Sequence, residues 1–560
     1  MVLTGCFSAP PQIISLEPNR GSTSVPANAP VRVIFDRQVL RSSVAGRFSV
    51  SPSIPGCDFS VVFTASSTAP CWIHWLDSQP GFDLIHTGAV FAPQTQYNFT
   101  LAGGFTDPAG DRNGLDHHWD ITSAAAPRVA ATTPADRSTN VPLDAALAVS
   151  FSAPMDASST AAAITMQPPV PGTTVVRNAV DHSRFAILPG QLLTAGADVT
   201  ITVNRSARGE DGQVLANPGA VHLSVTARLG EQHAVVLAGV PGSNATEVLL
   251  AALAPASAGD PIAAPVILRA PDCVVGGGCG TVAAGAPLLT FEAAAIAPDA
   301  AHVAVVVDDL PTASSRLEVI DAVHDRVVVQ IAGGVRPSWS PDGTELAFTN
   351  GDRVEVLDVL SRAVTVVAGG VGLTAPPLWS GEATLVLSTV GAPGVASGVE
   401  LLSRPVSARY AVPGAPPGSA AVAISPAGVR LAVAAPDGRV LIVPLAGATG
   451  SPQPLPGRLQ ALGFAGEGTL LVIDSAGTVD QLARVSVNGG DTTPVSLTIG
   501  TPVLETVRVA PDGRRLVFLA ADAGGVVQAF VANADGTREL VITRFGTGEN
   551  LVAQAIGFAQ

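Results

Sequence analysis

The chain has 560 residues, 47 % hydrophobic and only 13 % charged, with 57 Gly and 46 Pro; this predicts several domains or a repeat array built from short strands and many turns. All 30 basic residues are Arg, against 45 acidic ones for a net charge of -15. The lack of Lys excludes a Walker phosphate loop, a pyridoxal Schiff base and a Ser–Lys dyad, and the anionic balance argues against a nucleic-acid partner.

The chain opens Met1-Val2-Leu3-Thr4-Gly5-Cys6. Leu-Thr-Gly-Cys resembles the bacterial lipobox, in which signal peptidase cuts before a Cys that then carries lipid. The basic and apolar regions that should precede it are not in this numbering, so the expectation is a start further upstream, with residues 1–9 as lipobox remnant and tether. The other reading is a chance tetrapeptide on a cytosolic protein. Setting Cys6 aside as the lipidation site leaves two close pairs, Cys57 with Cys71 and Cys273 with Cys279. With no His or further Cys at ligand spacing, they read as disulfide candidates in an oxidising compartment, the alternative being buried thiols. No apolar run reaches the roughly 18 residues that would span a bilayer.

A direct repeat follows. Pro18-Asn19-Arg20-Gly21-Ser22-Thr23-Ser24-Val25-Pro26 matches Pro134-Ala135-Asp136-Arg137-Ser138-Thr139-Asn140-Val141-Pro142 at a shift of 116, which also carries Phe35 onto Phe151. Each copy runs into an alternating strand, Val31–Phe35 or Leu147–Phe151, the pattern of a half-buried strand in a sandwich. Later strands, Thr95–Leu101 and Ala197–Val203, precede polar Asp/Gly turns. These copies resemble bacterial Ig-like domains of the S-layer (SbsA-like) type, with Asp107-Pro108-Ala109-Gly110 and, more loosely, Glu210-Asp211-Gly212 as the late turn. The resemblance divides this region into 10–126 and 127–227 and implies spacer or adhesive modules.

Beyond residue 228 another repeat takes over. Ser340-Pro341-Asp342-Gly343 before Leu346-Ala347-Phe348 recurs as Ala510-Pro511-Asp512-Gly513 before Leu516-Val517-Phe518, with weaker copies at Pro298, Gly381, Pro426 and Gly466. The steps of 43, 40, 45, 40 and 45 residues have the period of propeller blades. Ala461-Leu462-Gly463-Phe464-Ala465 is echoed by Ala555-Ile556-Gly557-Phe558-Ala559, and Glu231–Leu237 lines up with Glu467–Ile473. The last residues are therefore expected to supply the inner strand of a blade whose other strands begin near 233, closing the ring and removing open edges. Six internal repeats and this shared blade make seven. The Ser-Pro-Asp-Gly blades resemble the TolB-type branch of WD-like propellers. That resemblance makes Asp342 and Asp512 turn residues rather than catalytic acids. The predicted fold is all-β: two Ig-like β-sandwiches, then a seven-bladed β-propeller over 228–560.

No Gly-x-Ser-x-Gly elbow or His-Glu-x-x-His motif is present, and no catalytic residue, metal ligand or cofactor is assigned. His74, His86, His117 and His118 lie near Trp72, Trp75 and Trp119. A metal site would need several of them to converge with Asp116 or Asp120, and adjacent strand residues such as His117 and His118 point to opposite faces. Sandwich core and strand-face roles are the plainer expectation, an aromatic platform for sugar the other. Asp107, Asp111, Asn113 and Asp116 raise a calcium question, but their spacing is not that of an EF-hand, and an Asx-rich turn answers it more simply. The functional expectation is a non-catalytic, lipid-anchored scaffold of the cell envelope whose propeller binds an envelope protein or glycan. The alternatives are a polysaccharide lyase or hydrolase in the propeller funnel, where Arg336 and Arg508 precede two turns, and a surface-layer or adhesion component.

Overall fold

Alternation shapes the first two units. Side chains of Gln96–Leu101 and Asp198–Val203 are buried at every second position, so each strand offers one apolar face and two sheets close over it. The computed structural model describes residues 9–86, 90–230, 233–239, 246–253, 259–260, 262–263, 265–270, 289–310, 312–390, 398–404, 407–445, 451–475, 477, 479–499, 501–546 and 552–557.

In the first unit Ile13–Glu17, Val31–Phe35, Gly81–Ile85 and Trp72–Trp75 pair in that order, facing a sheet of Ser22–Val25, His117–Ser123, Gln96–Leu101 and Phe48–Ser51. The second repeats this arrangement. Val129–Thr133, Leu147–Phe151, Arg184–Leu188 and Thr174–Arg177 form one sheet; Ser138–Val141, Gly219–Val225, Asp198–Val203 and Ile164–Gln167 form the other. The repeated turn is conformationally equivalent too: Gly21 and Arg137, one shift apart, both have positive φ (75° and 63°). Phe35, Phe82, Phe91, Phe99 and Phe105 fill the first core, whereas Val149, Ile187, Ile201 and Leu223 with Phe151 and Phe185 fill the second.

From 233 to 557 the described residues form seven sheets with at least four strands each, and in every sheet strands are paired antiparallel. Neighbouring sheets touch all the way round, the last against the first. Closure follows the sequence echo. Val552–Gly557 pairs with His233–Gly239, Gly557 opposite Val235, in the register that sets Gly463 opposite Leu471 in an internal blade. The Asp-Gly turns join inner to second strands. Asp342 accepts from Ser340 Oγ and from the N–H of Thr344, and Gly343 N–H donates to Ser340 O at 2.9 Å. Tryptophans just before these turns stitch inner strands together: Trp339 Nε1 donates to Ala295 O (3.1 Å), and Trp379 Nε1 to Ser338 O (2.9 Å). The all-β architecture read from the sequence is the architecture observed. Among the described residues no helix is long and apolar enough to cross a membrane.

Candidate functional site

The histidines of the first sandwich do not converge. His74 is exposed on the edge strand of one sheet, whereas His117 and His118 begin a strand of the other. His86 is buried with its ring bonded to Ala29 O at 2.7 Å, and His118 Nδ1 meets Thr100 Oγ1 at 2.9 Å. His117 turns inward beside Phe105, and burial lowers its pKa. The tryptophans divide likewise: Trp119 stacks on Phe99 in the core (5.4 Å), Trp75 packs on Phe82 beneath Arg41, and Trp72 sits half-buried beside His74.

The acidic loop spends its oxygens on its own backbone. Asp107 Oδ1 accepts the N–H groups of Ala109 and Asp111, Asn113 Oδ1 that of Leu115, and Asp116 Oδ1 that of Gly103. The bonds that Asp107 accepts from Ala109 and Asn113 from Leu115 are Asx turns, whereas Asp116 ties the loop back to Gly103. Among the described residues no group of three or more His, Cys, Asp or Glu is placed to hold a metal ion. Cys57 and Cys71 form a disulfide, their Cα atoms 5.3 Å apart. Cys6, Cys273 and Cys279 lie outside the described residues.

The inner strands of the propeller share one irregularity. Register shifts interrupt them at Glu292, at Arg336–Pro337, at Val422, at Leu462 and at Gln554. Such bulges leave one residue out of the ladder and re-aim its side chain. The residues so displaced are mostly uncharged, and two of them, Val422 and Leu462, pack against the apolar layers between blades. Glu292 and Arg336 are the ionisable members; Arg336 is exposed at φ 53°. A hydrogen bond that the Glu292 carboxyl donates to Asp308 raises the Glu292 pKa. Arg508, in the last inner strand, folds its guanidinium back onto Glu505 O (2.8 Å) and Val507 O (2.9 Å).

Another group of polar contacts lies at the seam between the second sandwich and the first blade. Two clamps cross it. Asp260 accepts from Asn178 Nδ2 at 2.7 Å and from Arg184 Nε at 3.0 Å, with no exposed side-chain surface of its own. Asp144 Oδ2 meets His233 Nε2 at 2.8 Å while its Oδ1 accepts the Gly230 N–H at 2.5 Å. Burial pushes the Asp144 pKa up, but the bonds from His233 and Gly230 outweigh it and leave the group below the ordinary carboxylate value. An ionised Asp144 makes Nε2 the donor, and His233 Nδ1 is buried without a partner. Apolar contact is continuous here: Leu143, Leu147, Ile187 and Leu229 share one cluster with Val235, Leu250, Leu268 and Phe291. A cavity of about 90 Å³ remains at this seam, walled by both domains, with Asp144 and His233 among its lining residues. The seam between the two sandwiches is thinner: Ala27 N–H to Asp211 (3.2 Å), Asn28 to Glu210 O (3.3 Å) and Gln213 to Ala124 O (3.2 Å).

Residues 8–122 and 123–225 each match the family model for the bacterial Ig-like domain. The N-terminal part of the architecture is a tandem Ig-like pair. No curated protein matches the chain in sequence. Among solved structures, the β-propeller domain of the trilobed protease from Pyrococcus furiosus is similar at 12 % identity, with TM-score 0.35 over 46 % of this chain and 84 % of that one. The putative TolB from Agrobacterium tumefaciens aligns at 18 % identity, with TM-score 0.31 over 41 % and 92 %. An oligogalacturonate lyase solved with manganese aligns at 10 % identity, with TM-score 0.37 over 57 % and 88 %. At these scores the propeller rests on its own strand pairing.

The repeat of the Ig-like domains explains where the seams fall. Asn28 and Asp144 are one shift apart, and each lies in the loop that docks onto the next unit. That equivalence is readable in the sequence; the pairing of Asp144 with His233 is not, since the blade repeat that contains His233 says nothing of what it meets in another domain.

Proposed function

We propose that this protein is an extracytoplasmic scaffold of a bacterial envelope, in which the Ig-like pair carries the propeller and the propeller's axial mouth binds a protein or glycan partner without turnover. The observation carrying this reading is the fused seam: a continuous core and two buried polar clamps make the second Ig-like domain and the propeller one stiff unit, which suits presentation of a recognition surface. The Cys57–Cys71 disulfide and the Ig-like family support an oxidising, extracytoplasmic setting. Cys6 supplies the membrane tether through its lipobox.

A photo-cross-linking residue at Arg336 in the full-length chain, expressed in an envelope-bearing host, is expected to give a discrete adduct. The same residue at Leu115 of the first Ig-like domain, 67 % exposed, is expected to give none. Adducts from Leu115 alone would assign recognition to the Ig-like pair and overturn the reading. A funnel enzyme has one observation in its favour, the raised Glu292 carboxyl beside Asp308. Cleavage of an acidic polysaccharide by the intact chain, lost in Glu292→Gln, would establish it instead.

A further inference from the structure

The outermost strand of each blade is a sheet edge, and most of these edges are blunted. Gln453–Pro454 and Thr492–Pro494 are short and carry Pro, Leu540–Val541 is shorter still, and Val266–Arg269, Arg326–Ala332 and Ala408–Ala411 each hold an Arg. Such devices discourage an edge from pairing with another chain. Ala363–Ala368, outermost in the sheet that begins with Gly334–Trp339, has none of them. It reads Ala-Val-Thr-Val-Val-Ala, without charge or Pro, and among the described residues it pairs only with Arg353–Asp358. Its first four residues are all exposed, Val364 at 43 % and Val366 at 49 %. An uncharged, β-branched run of this length on an open edge is a template for one further strand.

We infer that this edge pairs with the same edge of a second copy of the chain, antiparallel about a two-fold axis at Thr365. The order of residues selects that partner: the pairing sets Val364 against Val366 twice and Thr365 against itself, cross-strand pairs of the stabilising kind. Shape agrees. Leu360, 96 % exposed, precedes the strand, while Gly369 and Gly370 follow it with open space where a Cβ would stand, and antiparallel approach brings the leucine of each copy to the glycine end of the other. Charge agrees as well. A net charge of -15 sets two copies against each other in general, but here each end of an uncharged strand carries one acid and one base. Asp358 and Arg362 stand at the start, Asp352 and Arg353 at the finish, where Asp352 O accepts the Val371 N–H. An isologous pair consumes both edges and stops at two. One strand pairing is smaller than a standard interface, which begins at about 1,200 Å², so the dimer is weak and the chain is monomeric when dilute. The pairing goes beyond the scaffold reading and does not depend on it.

Sedimentation velocity of the full-length chain over a concentration series is expected to show a reversible monomer–dimer equilibrium. Thr365→Arg and Thr365→Asp each set like charges opposite one another across the axis, and each is expected to weaken association roughly tenfold or more. Thr365 is exposed on the edge, so neither change reaches the core. An equimolar mixture of the two variants sets opposite charges face to face and is expected to associate more tightly than either variant alone, which also shows that both are folded. A chain that stays monomeric at every concentration, a dimer that both variants leave unchanged, or a mixture no tighter than its separate components would each overturn the pairing.

Discussion

At the residue scale, one motif makes two different demands on its glycine. Gly343 and Gly513 close equivalent turns with φ of 73° and 69°. A Cβ on Gly343 would come no nearer than 3.4 Å to any neighbour, the ring of Pro298 being first, whereas on Gly513 it would run into the backbone of Gly466 and lie 2.9 Å from Phe464 O. Gly343→Ala is therefore expected to cost about 1 kcal/mol, the left-handed strain alone. Gly513→Ala adds a backbone clash, for roughly 3 kcal/mol in all. Urea midpoints of the two variants check the order, and equal losses would contradict it. Turn roles of this kind are legible from Pro-Asp-Gly, because the motif names its own geometry. The fate of the histidines is legible only in part: opposite faces for His117 and His118 follow from strand periodicity, but the burial of His86 against Ala29 depends on a partner 57 residues away.

At the element scale, the short helix Ala157–Ala163 starts at Asp156, whose side chain accepts the Ser159 N–H at 2.8 Å. Asp156→Ala is expected to lower the stability of the second Ig-like domain by about 1 kcal/mol. In the first domain the disulfide closes a segment with a sequence separation of 14. Cys57→Ser is expected to cost about 3 kcal/mol in the chain-entropy account; a transition unchanged by reduction would contradict this. The pairing Cys57–Cys71 is readable because so few residues separate the two. The seam is not, since Asp144, His233 and Asp260 come from three distant loops or strands and carry no shared spacing. Its pH response follows from Asp144. A folded-state pKa below the unfolded value, near 3.9, gives stabilisation that is present above that value and is lost as pH falls through the depressed one. The wild-type chain is thus expected to lose this contribution in acid, and Asp144→Asn to show a flatter pH profile of the seam transition by calorimetry; superimposable profiles would contradict it.

At the scale of the whole molecule, closure and stiffness are the two consequences of the topology. The ring closes only because Val552–Gly557 returns to His233–Gly239, so a chain ending at 546 would leave the inner edge of a buried strand unpaired. Such a truncation is expected to lower propeller stability and promote association, read by light scattering, whereas removal of the first Ig-like domain leaves the ring intact. The echo at Ala555–Ala559 makes this pairing legible from the order of residues alone, as repeat proteins allow; the bulges in the inner strands are not, because alternation says nothing of where a register slips. Stiffness is the property on which the scaffold account stands. The most direct measurement places spin labels through non-cysteine chemistry at Arg137 in the second Ig-like domain and Leu360 in the propeller, both largely exposed, and records their distance distribution in the full-length chain. The account predicts one narrow population, unchanged by dilution or salt. A broad or multimodal distribution would mean that the seam hinges freely and that the Ig-like pair does not hold the propeller in a fixed pose.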